Sequence, residues 1–311
     1  MQQRGDAGQR PRRAWMATLA GVLAVAALLA WAAMNARETN RQAQGLFAVT
    51  LQQGDLVARM RIDLLMAVEA EKSAVLADTD QASLEHAGLA RRASQDVEAR
   101  RLELRRLLAA QPSPEEDRLA AEFDQAWVEF RKVDAEILGL AVQNTNLKAA
   151  NLSQGQVRQA LDNLEQALEG LRESQPDGPL ALKIDSLVTR AVTAGFKALA
   201  LQAPHINEPS DQGMDRLEAQ MLAQETALRQ CLSSLEALVG PEGQGRLSTA
   251  RQAYQRFSEL SREVVRLSRA NSNLKSLELS LGQKRKVAAQ CQEILTALQE
   301  AIQRHGSKAT R

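Results

Sequence analysis

The sequence predicts an all-α protein: an N-terminal transmembrane helix followed by two tandem up-down four-helix bundles. Three observations predict it. Aromatic residues make up 3% of the 311-residue chain and there are only 8 prolines, while Ala, Leu, Glu, Gln and Arg dominate, which favours helices over strands. Beyond Glu38 the apolar residues recur at spacings of three and four, the period of amphipathic helices. The second half also rewrites the first at an offset of 127 positions.

The N-terminus carries the targeting signal. Residues 1–13 form a basic tail in which Arg4, Arg10, Arg12 and Arg13 outnumber one acid, Asp6. Residues 14–36, AWMATLAGVLAVAALLAWAAMNA, run for 23 positions without a charge, enough to cross about 30 Å of hydrocarbon as a helix. Trp15 and Trp31 sit near its two ends, where interfacial indoles belong. The preceding arginines keep the tail in the cytoplasm and send everything after Ala36 across the membrane, although Arg37 and Arg41 reduce the asymmetry. A cleaved signal peptide is the competing reading, with AWA at 30–32 as the cleavage site. The run exceeds the usual h-region of about 7–15 residues, which favours an uncleaved anchor and a single crossing.

Eight helices follow, at about Thr39–Ala77, Gln81–Ala110, Pro114–Leu152, Gly155–Glu173, Pro179–Gln202, Asp211–Val239, Gly243–Leu281 and Gln283–Arg304. Their separators are short and built from Gly, Pro, Ser, Asp and Asn, so consecutive helices should be antiparallel neighbours. Two of the separators are Ser-x-Gly steps, SQGQ at 153–156 and SLGQ at 280–283, each read as a capping box with a chain reversal. The repeat pairs Pro114 with Pro241, Trp127 with Tyr254, Phe130 with Phe257 and Glu136 with Glu263. ESQPDGP at 173–179 marks the boundary, giving one bundle at 37–175 and a second at 176–311.

The long first helix, the LRRLL second helix and FDQAWVEFRKVDAEILGLA as the third resemble the four-helix-bundle sensory domains of bacterial methyl-accepting chemotaxis receptors. The resemblance covers roughly 37–171 and, more faintly, 180–302. It implies a periplasmic up-down bundle, a homodimer, and a piston-like displacement through the membrane in response to small ligands; the single-pass inner-membrane anchor is the reading of the apolar run at 14–36. Two departures are that the bundle appears twice and that no second membrane span, HAMP linker or cytoplasmic signalling helix is legible. The expectation is therefore an accessory or truncated receptor that hands its state to a separate transmembrane signalling protein.

Two stretches are candidate binding elements. NTNLKAANLSQG at 144–155 and NSNLKSLELSLG at 271–282 each place an Asn, Asn144 and Asn271, on a core line of the helix. Such an Asn fixes register and costs stability unless paired; contact with a polar ligand is the alternative. On the same pattern Asn146, Lys148, Asn273 and Lys275 point away from that line, towards solvent or a flanking helix. The second helix carries Arg91, Arg92, Arg100, Arg101, Arg105 and Arg106, whereas its counterpart in the second half has only Arg216 and Arg229. Guanidinium forks suit carboxylates and phosphates, so Arg91, Arg92, Arg100, Arg101 and Arg105 are candidates for a small anionic ligand or a partner protein. Ordinary surface pairing, such as Glu98 with Arg101, is the alternative.

Catalysis finds no support. His86, His205 and His305 lie far apart near helix ends and read as surface or capping residues, and no phosphate loop, nucleophile elbow, haem motif or metal-ligand spacing occurs. No cofactor or metal is expected. The net charge of +1, from 39 basic and 38 acidic residues, gives no field for nucleic acid. Cys231 and Cys291 read either as buried free thiols or as a disulfide. The functional expectation is a membrane-anchored extracytoplasmic sensor, with a structural scaffold of the cell envelope as the competing class.

Overall fold

The computed structural model describes residues 10–174 and 178–309, without the side chains of residues 10–27, 30, 36, 39–43, 308 and 309. Its helices are α1 (Arg10–Val75), α2 (Asp80–Ala110), α3 (Pro114–Ala141), α4 (Thr145–Leu152), α5 (Arg158–Glu173), α6 (Pro179–Ala200), α7 (Gln202–Ile206), α8 (Asp211–Leu238), α9 (Gln244–Ala270), α10 (Ser272–Leu279) and α11 (Arg285–Ala309). No strand occurs among the described residues, as the composition predicts. Residues 1–9 of the tail, the side chains of 10–13 and most side chains of the apolar run at 14–36 lie outside the described residues; among those described, no helix is long and apolar enough to cross a membrane.

Local sequence explains where the helices start. Pro114 and Pro179 occupy first helical positions, where a missing N–H costs nothing. Thr79 Oγ1 accepts from the Ala82 N–H at 3.1 Å, and Ser210 Oγ accepts from the Gly213 N–H at 3.1 Å. Asp80, and Glu115 to Asp117, place negative charge at the positive ends of α2 and α3.

The chain forms two compact units. The first contains residues up to Ile62, Val97–Phe123 and Gln292 onward. In it α1, α2, α3 and α11 bury Met60, Leu104, Leu108, Phe123, Leu298 and Ile302. Polar contacts tie the rim: Gln52 Nε2 donates to Glu103 at 3.2 Å, Arg61 to Gln299 at 2.9 Å and Arg304 to Glu115 at 2.8 Å.

The second unit contains Asp63–Asp96 and Asp124–Cys291. One of its cores joins Ala74, Ala87, Val133 and Ile137 from α1, α2 and α3, with Leu277 and Leu279 of α10 packed on them. The larger core is built by α5, α6, α8 and α9 around Leu161, Leu168, Ile184, Leu228, Leu235 and Phe257.

The helices that pack together are not four consecutive ones in either half. α5, at the end of the 37–175 stretch, packs on α6 and α9. Gln283, past α10, reaches back to Glu129 of α3 at 2.8 Å, and Lys284 pairs with Asp134 of α3. Along α5 and α9, Arg246 donates to the Gly170 carbonyl while Arg256 meets Gln156 at 3.2 Å, so these helices run antiparallel.

The cause lies in the Ser-x-Gly steps, which do not reverse the chain. Ser153–Val157 and Ser280–Lys284 are single π-helical turns inside continuous helices. Ser153 has helical φ and ψ of −60° and −50°, and its N–H is already bonded to the Ala149 and Ala150 carbonyls, so no capping box forms. The breaks come earlier, at Asn144 (φ 50°) and Asn271 (φ 53°), the two non-glycine residues with positive φ among those described. Asn tolerates this left-handed geometry better than other side chains. Each break redirects the helix without turning it back, so α3 leads into α4 and α5, and α9 into α10 and α11.

Gly195 of α6 shows how tightly the larger core is packed. A Cβ there would lie 2.5 Å from Leu161 Cδ1 and 3.3 Å from Leu228 Cδ1, and both leucines are fully buried. Gly195→Val is expected to lower unfolding free energy by about 1–3 kcal/mol, measured by chemical denaturation, while the same change at exposed Gly240 leaves the core intact.

Candidate functional site

The two asparagine breaks meet in the second unit, and their side chains complete each other's helix starts. The Thr145 N–H donates to Ser272 Oγ at 3.1 Å, and the Ser272 N–H to Thr145 Oγ1 at 3.0 Å. The Asn146 N–H donates to Asn273 Oδ1 and the Asn273 N–H to Asn146 Oδ1, both at 3.1 Å. The first donors of α4 and α10, which have no partner inside their own helices, are thus satisfied by the other copy of the repeat. Asn146 Nδ2 also donates to Asn271 Oδ1 at 2.8 Å, and Asn273 Nδ2 to Asn144 Oδ1 at 3.0 Å. Asn144 Nδ2 reaches Asp80 at 3.0 Å, and Asn271 Nδ2 the Glu208 carbonyl at 3.2 Å.

Asn144 and Asn271 are buried as expected, and the structure brings them into one network whose donors and acceptors are used internally. Asn146 takes the second of its two expected directions: it is buried, with its amide turned onto the start of α10. Lys148 and Lys275 do face outward, and their ammonium groups donate to the Gln143 and Ala270 carbonyls at 2.9 and 3.0 Å, at the negative ends of α3 and α9.

The arginine helix is divided. Arg91 and Arg92 are exposed in the second unit, while Arg100, Arg101 and Arg105 are partly exposed in the first. Arg101 forks Glu98 with bonds of 3.0 and 2.7 Å, the expected surface pair. None of the five lines either of the cavities described next.

A groove of about 480 Å³ opens between α8 and α9. Met221, Leu222 and Val265 give it an apolar lining, with Ser261 at its base and Asp215, Glu218, Glu225 and Arg262 around it. At one end Arg269 donates to Glu218 at 2.6 Å and also pairs with Asp215. This guanidinium holds the Glu218 carboxyl below its ordinary value, with a smaller contribution from His205. At the other end burial pushes Glu225 up; Arg262 opposes the rise, and Ser258 offers one long bond of 3.5 Å. A second cavity, of about 510 Å³, lies between α3 and α10 and is lined by Glu136, Leu140, Lys275, Glu278 and Gln283, among others.

His205 is buried rather than at the surface, because α7 folds its ring between α8 and α9. Nε2 faces Glu218 at 2.9 Å and Nδ1 faces Ser268 Oγ at 2.7 Å. As Glu218 can only accept, Nε2 carries a proton. His205 sits five residues before Ser210 in a Pro-containing connection, and no periodic signal there announces a buried ring. Cys231 and Cys291 are both free and buried.

The reciprocal caps make a quantitative prediction. Thr145→Ala and Ser272→Ala should each destabilise by about 1 kcal/mol. The double variant should lose less than the sum, because the two hydroxyls also bond each other at 3.2 Å and either change removes that bond. A denaturation double-mutant cycle measures the difference.

Residues 13–177 match the four helix bundle sensory module for signal transduction. No curated protein matches the chain. The matched stretch contains α1 to α5, including the Asn144 break and the first π turn, and its last helix is the one that packs with α6 and α9. Because the match spans more than half of the sequence, the chain belongs to the family of four-helix-bundle sensory modules of signal transduction.

Proposed function

We propose that the chain is a membrane-anchored, extracytoplasmic, chemoreceptor-like sensor without catalytic activity, which takes a small ligand in the groove between α8 and α9. The carrying observation is that this groove joins an apolar lining to two opposed charges, Glu225 and Arg262, neither of which has a close ion-pair partner inside it. A ligand with an apolar body and a charged head would cover Met221, Leu222 and Val265 and satisfy one or both of these groups. The anchor is the apolar run at 14–36, with the basic tail in the cytoplasm and the bundles in the periplasm of a bacterial inner membrane.

Homodimer formation is part of this reading. It is supported by Phe47, Leu51 and Ile62, large apolar side chains 49%, 58% and 57% exposed on α1 in the first unit. Arg91, Arg92, Arg100, Arg101 and Arg105 remain the proposed contact for an anionic ligand or for a partner transmembrane signalling protein.

A thermal-shift panel of amines, amino acids and organic acids on residues 38–311 tests the ligand reading. A stabilising compound is expected to lose its shift in Glu225→Gln or Arg262→Met and to keep it when Arg101 and Arg105 are reversed to Glu. Loss only in the arginine reversal moves the site to α2, and a flat panel favours the scaffold. Deleting residues 1–36 is expected to release the protein from the membrane fraction; retention there would remove the anchor.

A further inference from the structure

The second unit buries more carboxylate than ammonium in one place. Glu71 of α1 is 0% exposed, Asp134 of α3 is 5% exposed, and Lys284, the last residue of the second π turn, is 1% exposed. Lys284 Nζ pairs with Asp134 Oδ1 and stands 3.7 Å from the Phe130 ring centroid, so its orientation is already set. Neither oxygen of Glu71 meets a donor; Ser280 Oγ approaches without completing a hydrogen bond. One ammonium cannot neutralise two buried carboxylates, and the one it leaves is costly as an anion.

The other groups around Glu71 do not change that balance. Lys72 follows it on α1 and acts only weakly on it. Cys291 of α11 is fully buried and its thiol is pushed up to about 12, so it adds no charge at neutral pH. α2 contributes Ala87 and Ala90 to the neighbouring core. Burial raises the Glu71 carboxyl above its ordinary value, with Lys284 opposing. Burial lowers Lys284, with Asp134 opposing.

The repeat supplies a comparison inside the same chain. At the 127-residue offset, Asp134, Lys284 and Cys291 correspond to Ser261, Val157 and Leu164, while Phe130 corresponds to Phe257. All four counterparts are buried, and none is charged. A π turn on a core phenylalanine therefore needs no ion pair to form, and the charges are an addition confined to one copy. π turns inside helices recur at functional positions.

We propose that Glu71 is a buried proton-binding site: it holds one proton beside the Lys284–Asp134 pair, and releasing that proton to solvent leaves an unpaired carboxylate against the π turn of Ser280–Lys284. The ligand is the proton itself, and the inference stands apart from the α8/α9 groove. Because the folded-state value lies above the ordinary 4.5, the stabilisation is complete below 4.5 and is lost as pH rises through the folded value.

Urea unfolding of the full-length protein in detergent, from about pH 5 to about pH 9, tests the site. Between the ordinary 4.5 and the folded value the wild-type folding constant should fall about tenfold per pH unit relative to Glu71→Gln, and above the folded value the two curves should run parallel. Asp134→Asn, which frees Lys284 to pair with Glu71, should abolish that relative decline. The infrared band of a protonated carboxyl should be present in the wild type at about pH 5, disappear as the pH rises, and be missing from Glu71→Gln. If the Gln variant does not fold, Glu71→Leu takes its place in both measurements. Stability curves that stay parallel from about pH 5 upward, or a wild-type spectrum without a band attributable to Glu71 at any pH, would overturn the proposal.

Discussion

Everything in the second unit depends on how two helix starts find hydrogen-bond partners. α4 and α10 both begin after a left-handed Asn, and a helix start leaves backbone N–H groups that must be bonded if they are buried. Here each start is capped by the hydroxyl and amide of the other: Ser272 and Asn273 serve α4, and Thr145 and Asn146 serve α10. The arrangement closes only if both breaks lie at the same level, which fixes the register of the two long antiparallel helical paths. That register then decides which side chains face each other further along, from Arg256 on Gln156 to Gln283 on Glu129.

Much of this was legible in the sequence, and the exceptions have physical reasons. Composition and spacing were enough for an all-helical chain, since helix propensity and a 3.6-residue period are local properties. The repeated phrase builds the same local structure twice, a left-handed Asn followed by a π turn, where the sequence predicts a whole four-helix unit in each half. Its reading as a reversal failed because Ser-x-Gly suits both a helix cap and a π turn, and only the tertiary environment chooses. Once the helices run on, α5 and α11 find partners that sequence order does not suggest. Which of its two expected directions Asn146 takes was not legible, because a periodicity argument assumes one unbroken helix, and one residue at φ 50° shifts the phase of everything after it.

The polar sites were harder to see. Glu218, Arg269 and His205 are separated by up to 64 positions and meet only through the packing of α7, α8 and α9. Lys284 did leave a signal. The fifth position of the Ser-x-Gly phrase is Val157 in one copy and Lys284 in the other, and such a mismatch inside a repeated core segment marks a difference in chemistry where the backbone is the same. Glu71 left none, because an isolated acid on an amphipathic helix reads as solvated until its neighbours are known.

The π turns carry a further consequence. Each adds one residue to its helix beyond what regular winding would hold, and the surplus lies between a left-handed asparagine and a fourth helix that never turns back. A helix that absorbed its surplus by returning to regular α geometry would rotate everything beyond it by about 100°. In α11 that rotation would exchange buried faces for exposed ones while every peptide group kept a hydrogen bond. The backbone therefore keeps two one-residue insertions at equivalent places of the repeat, held by the packing of the helices beyond them, and in one of them the last residue of the turn is a buried lysine.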